Sequence, residues 1–285
     1  MQFEDDFDDA ELLAMMDAPM VRTKIAVPTN EVPSSNEQPK PAAPTAVTPD
    51  PPPIIDAKLA AQLTDTLQNY FGHSSFRTGQ LDVIAAAVTG RDTCVYWSTG
   101  SGKSICYQLP ALLTGKTSLV ISPLVSLMED QVTHLNNTAG NVQSHQKTNT
   151  PLAAFLGSAQ TDATVEEKAL RGEYKVLYVT PEKLVGFRGD DEDGKPVGNA
   201  SPTYFVSRLK EMVSNNLLGL VAVDEAHCLS QWGHDFRTSY RALHQLRTFL
   251  SPNGEVPIMA LTATAVSAVR EDIKTTLSLK NPFIA

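Results

Sequence analysis

The chain has 285 residues, 42% hydrophobic and 19% charged, which is enough for one or two domains with a substantial core. Its formal net charge is −9, but residues 1–53 hold ten Asp/Glu against three Lys/Arg, so the remainder is close to neutral with 22 acidic and 20 basic residues. No run of 18 apolar residues and no basic, apolar leader occurs, which disfavours a membrane span and a secretory signal; three cysteines without a C-x-x-C pair give neither a disulfide framework nor a zinc site and fit a reducing compartment.

Residues 1–20 interleave Phe3, Phe7, Leu12, Leu13, Met15, Met16 and Met20 with seven acidic side chains. Such a segment is either a solvated tail or a peptide that folds as a helix in a basic groove. From Thr23 to Pro53 the sequence is rich in Pro, Thr, Ala and Val without helical or strand period, so a disordered leader over 1–55 is expected. At Asp56 the texture changes. Leu59, Leu63, Leu67 and Tyr70 recur at helical spacing, and a second helix is expected from about Thr78 through Leu81, Ile84 and Val88.

Short apolar runs then alternate with helical patterns. Cys94 to Trp97, Ser118 to Ile121, Val176 to Val179, Leu218 to Val223 and Ile258 to Leu261 read as buried strands. Helical spacing appears at Leu124, Leu127, Met128, Gln131 and Leu135, and again at Val266, Val269, Ile273 and Leu277. This alternation predicts an α/β domain over 56–285 with a parallel sheet covered on both faces. Residues 186–203, rich in Gly and Asp, are expected to be a polar surface loop.

Five segments carry chemistry. After the first strand comes Ser98-Thr99-Gly100-Ser101-Gly102-Lys103-Ser104, a glycine-rich turn whose amides can close around phosphates. Lys103 would reach the terminal phosphates and Ser104 would hold Mg²⁺. The strict G-x-x-x-x-G-K-[ST] spacing calls for glycine at 97, where this chain has Trp97. Leu218 to Val223 delivers Asp224 and Glu225, then Ala226 and His227, at a strand end. Asp224 can bind Mg²⁺ through water and Glu225 can deprotonate an attacking water, although adjacent carboxylates after a strand also mark an ordinary helix start. Ser122-Pro123 and Thr180-Pro181 pair a capping residue with proline at the first helical position; such helix starts offer amides to a phosphodiester backbone, and they are also ordinary caps. Finally Gln231, Trp232, His234, Phe236 and Arg237 follow the Asp224-Glu225-Ala226-His227 segment, as a base-stacking loop or as core aromatics.

Taken together these segments resemble the RecQ family of DNA helicases, and within it the Werner-type branch. The carrying residues are Phe71-Gly72 with Phe76-Arg77 and Gln80, the STGSGKS loop with Cys106-Tyr107-Gln108, and SPLVSLMEDQ from Ser122. They continue with FLGSAQ from Phe155, YVTPEKL from Tyr178, VDEAHCLSQWGHDFR from Val223 and LTATA from Leu261. The resemblance covers about residues 59 to 285. It implies a RecA-like P-loop lobe and an ATP- and Mg²⁺-dependent 3′-to-5′ DNA helicase, a nuclear enzyme of DNA repair and recombination. It further implies that Arg77 and Gln80 read adenine and that Lys103, Asp224, Glu225 and His227 serve hydrolysis. Ser122, Pro123, Gly157, Ser158, Thr180, Pro181 and the loop Ser230 to Arg237 would contact or couple to DNA, and Thr262 and Thr264 would link the γ-phosphate to that side. Single-stranded and 3′-tailed duplex DNA are the expected partners, with a single-strand DNA-binding protein expected on residues 1–20. Family helicases contain two such lobes and this chain ends where the first ends, so poor turnover alone is expected. A truncated ATP- and DNA-binding module and a P-loop ATPase unrelated to nucleic acid are the competing readings.

Overall fold

The computed structural model describes residues 51–142, 151–157, 160–184, 204–232, 237–263 and 266–285. Residues 1–50 of the leader and the polar insertion lie outside them. Helix α1 (Ala57–Phe71) begins where the Asp56 carboxylate accepts from the Leu59 amide at 2.6 Å and stops at Gly72, whose φ of 69° suits glycine. Gly79 turns the chain into α2 (Gln80–Val88), so this helix starts two residues later than its periodicity suggested. There follow β1 (Thr93–Tyr96), α3 (Lys103–Thr114), β2 (Thr117–Ile121), α4 (Val125–Val142), β3 (Ala153–Leu156), α5 (Ala163–Leu170) and β4 (Val176–Val179). The second half holds α6 (Pro181–Leu184), α7 (Tyr204–Ser214), β5 (Leu218–Val223) and a 3-10 turn at Ala226–Leu229. It ends with α8 (Thr238–Arg241), a second 3-10 turn at Ala242–Gln245, α9 (Leu246–Leu250), β6 (Ile258–Thr262), α10 (Ser267–Thr276) and β7 (Phe283–Ile284).

All seven strands are parallel, in the order β3-β4-β2-β5-β6-β1-β7. Every residue of β2, β4 and β6 is buried, because helices cover both faces, which is why these strands read as continuous apolar runs. Successive side chains serve opposite cores: Leu119 and Ile121 join Val221, Leu209 and Ile273 on one face, while Val120 joins Leu63, Ile84, Leu109 and Leu220 on the other. β3 and β7 were not anticipated; the first is built on Ala153 and Ala154 and the second has two residues, too little apolar pattern to show a period.

Register places the functional segments. Val223, Ile121, Val179 and Leu156 align across β5, β2, β4 and β3, so the residues that follow each of them emerge along one carboxyl edge. At the amino end of β1, buried Asp92 accepts from the Ile258 amide at 2.8 Å and the Lys280 amide at 2.7 Å, and it pairs with the buried guanidinium of Arg247. Arg247 in turn donates to the Val256 carbonyl at 3.2 Å.

Candidate active site

The phosphate loop spans β1 and α3. Gly100 (φ 78°) and Gly102 (φ 90°) take conformations that side chains resist, and a Cβ on Gly102 would stand 2.5 Å from Gln80 Nε2. The first turn of α2 grips this loop from outside. Gln80 accepts from the Arg77 amide at 2.8 Å and donates to the Gly102 carbonyl at 3.0 Å, while Arg77 Nη1 donates to the Gly100 carbonyl at 2.6 Å. Trp97, the departure from the strict loop pattern, is accommodated by a second glycine. Its indole crosses Gly79, where a Cβ would meet Cζ2 at 2.9 Å. Lys103 Nζ donates to the Trp97 carbonyl at 2.9 Å and the Ser98 carbonyl at 3.2 Å, and Ser101 Oγ donates to Ser98 at 2.7 Å. Thr99 is exposed and Ser104 half-buried at the start of α3. Beside the loop lies a cavity of about 310 Å³ bordered by Gly72, His73, Arg77, Gln80, Gly102 and Ile105.

β6 separates β5 from β1, so Thr262 stands between the strand end that leads into the glycine-rich loop and the one that leads into Asp224. Asp224 continues the sheet through its amide, which donates to the Ile121 carbonyl at 2.9 Å, and its Oδ1 accepts from the Glu225 amide at 3.0 Å. Desolvation, reinforced by the neighbouring Glu225, pushes the Asp224 carboxyl up to about 6. Glu225 has a φ of 48°, a strained setting for a side chain that turns its carboxylate back toward His227. His227 Nδ1 stands 3.2 Å from Glu225 Oε2 and 2.9 Å from Thr262 Oγ1. The hydrogen bond from His227 holds the Glu225 carboxyl below the usual carboxylate range. The Cys228 sulfur and then Glu225 raise His227 to about 10, so the imidazolium joins the carboxylate to the end of β6.

Among the described residues no group of three or more His, Cys, Asp or Glu side chains is arranged so that it could hold a metal ion by itself. A divalent ion at this edge therefore fits only with oxygens from phosphate and water beside Asp224 and Ser104, the habit of Mg²⁺ at phosphate sites. That ion would supply charge neutralisation between phosphate oxygens. Because Asp224 keeps its proton up to about pH 6 and ion binding requires the anion, affinity for Mg·ADP should fall about tenfold per pH unit below 6, beyond the nucleotide's own titration. Calorimetric titrations at pH 5 and 7 test this; an Asp224→Asn chain with the same pH slope would contradict it.

On the other half of the edge, the Ser122 amide donates to Val179 at 3.1 Å and the Thr180 amide to Leu156 at 3.3 Å, so neither amide is open to a ligand. Pro181 does begin α6, whereas Ser122-Pro123 does not begin α4. Ser122 is still held in the sheet, and the helix starts at Val125, which corrects the capping expected there. Gly157 sits where a Cβ would press on Thr180 Cγ2 at 3.3 Å and on α4, bringing β3, β4 and α4 into contact. Trp232 is 75% exposed, which removes it from the core, and Gln231 is exposed beside it. Arg237 Nη1 donates to the Pro123 carbonyl at 3.2 Å. Ser158, His234, Phe236 and Thr264 lie outside the described residues.

Sequence reasoning missed several supports. Tyr240, fully buried, donates its hydroxyl to the Asp224 carbonyl at 3.0 Å. Gln108 donates to the Tyr178 hydroxyl at 3.0 Å, and Tyr178 lies edge-on to Tyr107 beneath α3. Ser230 Oγ donates to Asp272 Oδ2 at 2.6 Å. Tyr107, Gln108, Tyr178 and Ser230 lie in segments that carry the family resemblance, whereas Tyr240 and Asp272 lie outside them.

The DEAD/DEAH box helicase family profile matches residues 77–272, a span that takes in the phosphate loop, the Asp224-Glu225-Ala226-His227 segment and β6. The chain belongs to the DEAD/DEAH box helicase family. It is 43% identical over 76% of its length to the ATP-dependent DNA helicase Q-like SIM of Arabidopsis thaliana. It is also 43% identical over 79% to the bifunctional 3′-5′ exonuclease/ATP-dependent helicase WRN of Mus musculus, and 42% identical over 80% to the ATP-dependent DNA helicase RecQ of Haemophilus influenzae. It spans 23%, 14% and 33% of those relatives' own lengths. The crystal structure of the DUF1998 helicase MrfA bound to DNA superposes with a TM-score of 0.56 at 16% identity, covering 84% of this chain and 30% of that one, a likeness of fold. No helix among the described residues is long and apolar enough to cross a membrane.

Proposed function

We propose that this chain is the ATP-binding lobe of a RecQ-type DNA helicase, hydrolysing ATP with Mg²⁺ and coupling that reaction to single-stranded DNA. The observation that carries the reading is the shared carboxyl edge, where the phosphate loop and Asp224-Glu225 at one half continue into the exposed Trp232 and the Ser122 and Thr180 strand ends at the other. Glu225 is the base that takes a proton from the attacking water, Lys103 neutralises phosphate charge, and Arg77 with Gln80 orients the loop and faces the adenine. Stacking of a base on Trp232 is worth about 1 to 3 kcal/mol. The similarity to helicases named RecQ and WRN supports DNA as the substrate, and we extend it to 3′-to-5′ polarity and to a nuclear role in repair and recombination. The acidic residues 1–20 are assigned to a basic groove on a single-strand DNA-binding protein.

Lys103→Ala should weaken binding of a fluorescent ATP analogue tenfold or more, about 1.4 kcal/mol, because backbone amides alone hold the phosphates less well. Equal affinity in variant and parent would sink the phosphate-loop assignment. Nucleotide binding without any phosphate release in the presence of oligothymidylate would instead identify a binding module.

A further inference from the structure

Trp232 raises a physical question. An indole that is 75% exposed gains little from burial, so something other than packing must hold its backbone in place. The hold comes from Ser230, two residues earlier and almost completely buried. Its hydroxyl donates to Asp272 Oδ2 at 2.6 Å and accepts from the Trp232 amide at 3.1 Å, so one hydroxyl fixes the aromatic residue's backbone to a carboxylate. A short O–H···O⁻ bond is among the stronger kinds, and burial of Ser230 leaves little room for water to replace it.

Asp272 belongs to α10, which packs on the 3-10 turn Ala226–Leu229 and follows β6 closely. β6 ends at Thr262, the residue bonded to His227 beside Glu225. The segment from Glu225 to Trp232 is thus fastened twice to the segment from Thr262 to Asp272, once through His227 beside the Glu225 carboxylate and once through Ser230 beneath the Trp232 backbone. Arg237, bonded to Pro123, anchors the far end of the same loop to the β2–α4 turn.

We infer that Asp272 is a positioning residue that transmits the state of the nucleotide site to Trp232 through Ser230. The inference rests on the proposed ATP site and adds to it a residue that no sequence motif singled out. When nucleotide engages Lys103 and Asp224, β5, β6 and α10 shift as a fastened unit, and the Ser230 hydroxyl carries that shift to the indole.

The two tryptophans, Trp97 at the phosphate loop and Trp232, provide the test. The full chain labelled with 5-fluorotryptophan gives two ¹⁹F resonances, assigned with a Trp232→Phe chain. A non-hydrolysable ATP analogue with Mg²⁺ should move both in the parent. In Asp272→Ala only the Trp97 resonance should move, with analogue affinity within threefold of the parent, and Asp272→Asn, which keeps an acceptor oxygen, should restore the Trp232 shift. A Trp232 shift that persists in Asp272→Ala, or one missing from a parent whose Trp97 responds, overturns the inference. If the analogue moves neither resonance in the parent, the ATP-site reading itself falls. Should Asp272→Ala fail to fold, Ser230→Ala removes the same bond from the loop side and is judged by the same two resonances.

Discussion

Glu225→Gln should slow single-turnover phosphate release by about 10² to 10⁴, the range that a positioned general base contributes. In barrier terms this is about 3 to 5 kcal/mol. The substitution keeps the shape of the side chain and removes only its ability to accept a proton. Glu225 is held in place by His227, 3.2 Å from its Oε2, and the hydrogen bond from that ring keeps the carboxyl below the usual carboxylate range, so it is ionised throughout the neutral range. In the parent the rate should therefore be independent of Glu225 titration near neutrality, with acid loss beginning only near pH 6, where Asp224 takes up its proton. Nucleotide affinity should change little, since phosphate charge is met by Lys103. Full turnover by the Gln chain would remove Glu225 from the reaction.

Asp92→Ala acts on the opposite edge and on stability. It leaves the Arg247 guanidinium buried without its carboxylate and strips two backbone amides, those of Ile258 and Lys280, of their acceptor. Breaking one side of a buried pair costs about 3 to 5 kcal/mol, and each kcal/mol is worth about 2 to 4 °C for a domain of this size, so the melting temperature should drop by about 6 to 20 °C. Below the transition, analogue affinity should match the parent, because Asp92 sits at the amino end of β1 and the phosphate loop at the other. Combining Asp92→Ala with Arg247→Met should recover part of the loss, since the uncompensated charge is then gone. A shift below 2 °C, read by differential scanning calorimetry, would show that the pair is dispensable.

Legibility in the sequence followed the range of each interaction. β2, β4 and β5 announced themselves because both faces are buried and every position is apolar or small. The phosphate loop was equally plain, since glycines, lysine and serine must occur together where backbone amides meet phosphate. By contrast, the Gln80–Gly102, His227–Thr262 and Ser230–Asp272 bonds join residues 22, 35 and 42 positions apart, and no local period registers them. The Ser122-Pro123 cap failed for a related reason. Local preference favours a helix at Pro123, but sheet pairing of the Ser122 amide with Val179 keeps the chain out of helix until Val125. Trp232 shows the same limit, because aromatic residues in a row do not reveal whether they face a core or water.

The strand order also dictates a timetable. Thr93 at the start of β1 pairs with Met259 on one side and Phe283 on the other, so the strand that leads into the phosphate loop has both its neighbours late in the chain. During synthesis β3, β4, β2 and β5 can zip together once Val223 has left the ribosome, whereas β1 must wait for the stretch that ends at Phe283. At about 5 to 20 residues per second that wait lasts about 3 to 12 seconds, during which the apolar faces of β1 and α3 lack their final cover. On the ribosome the nucleotide site is consequently the last part of the lobe that can be completed, and ATP should protect nascent chains from protease only once Phe283 has emerged.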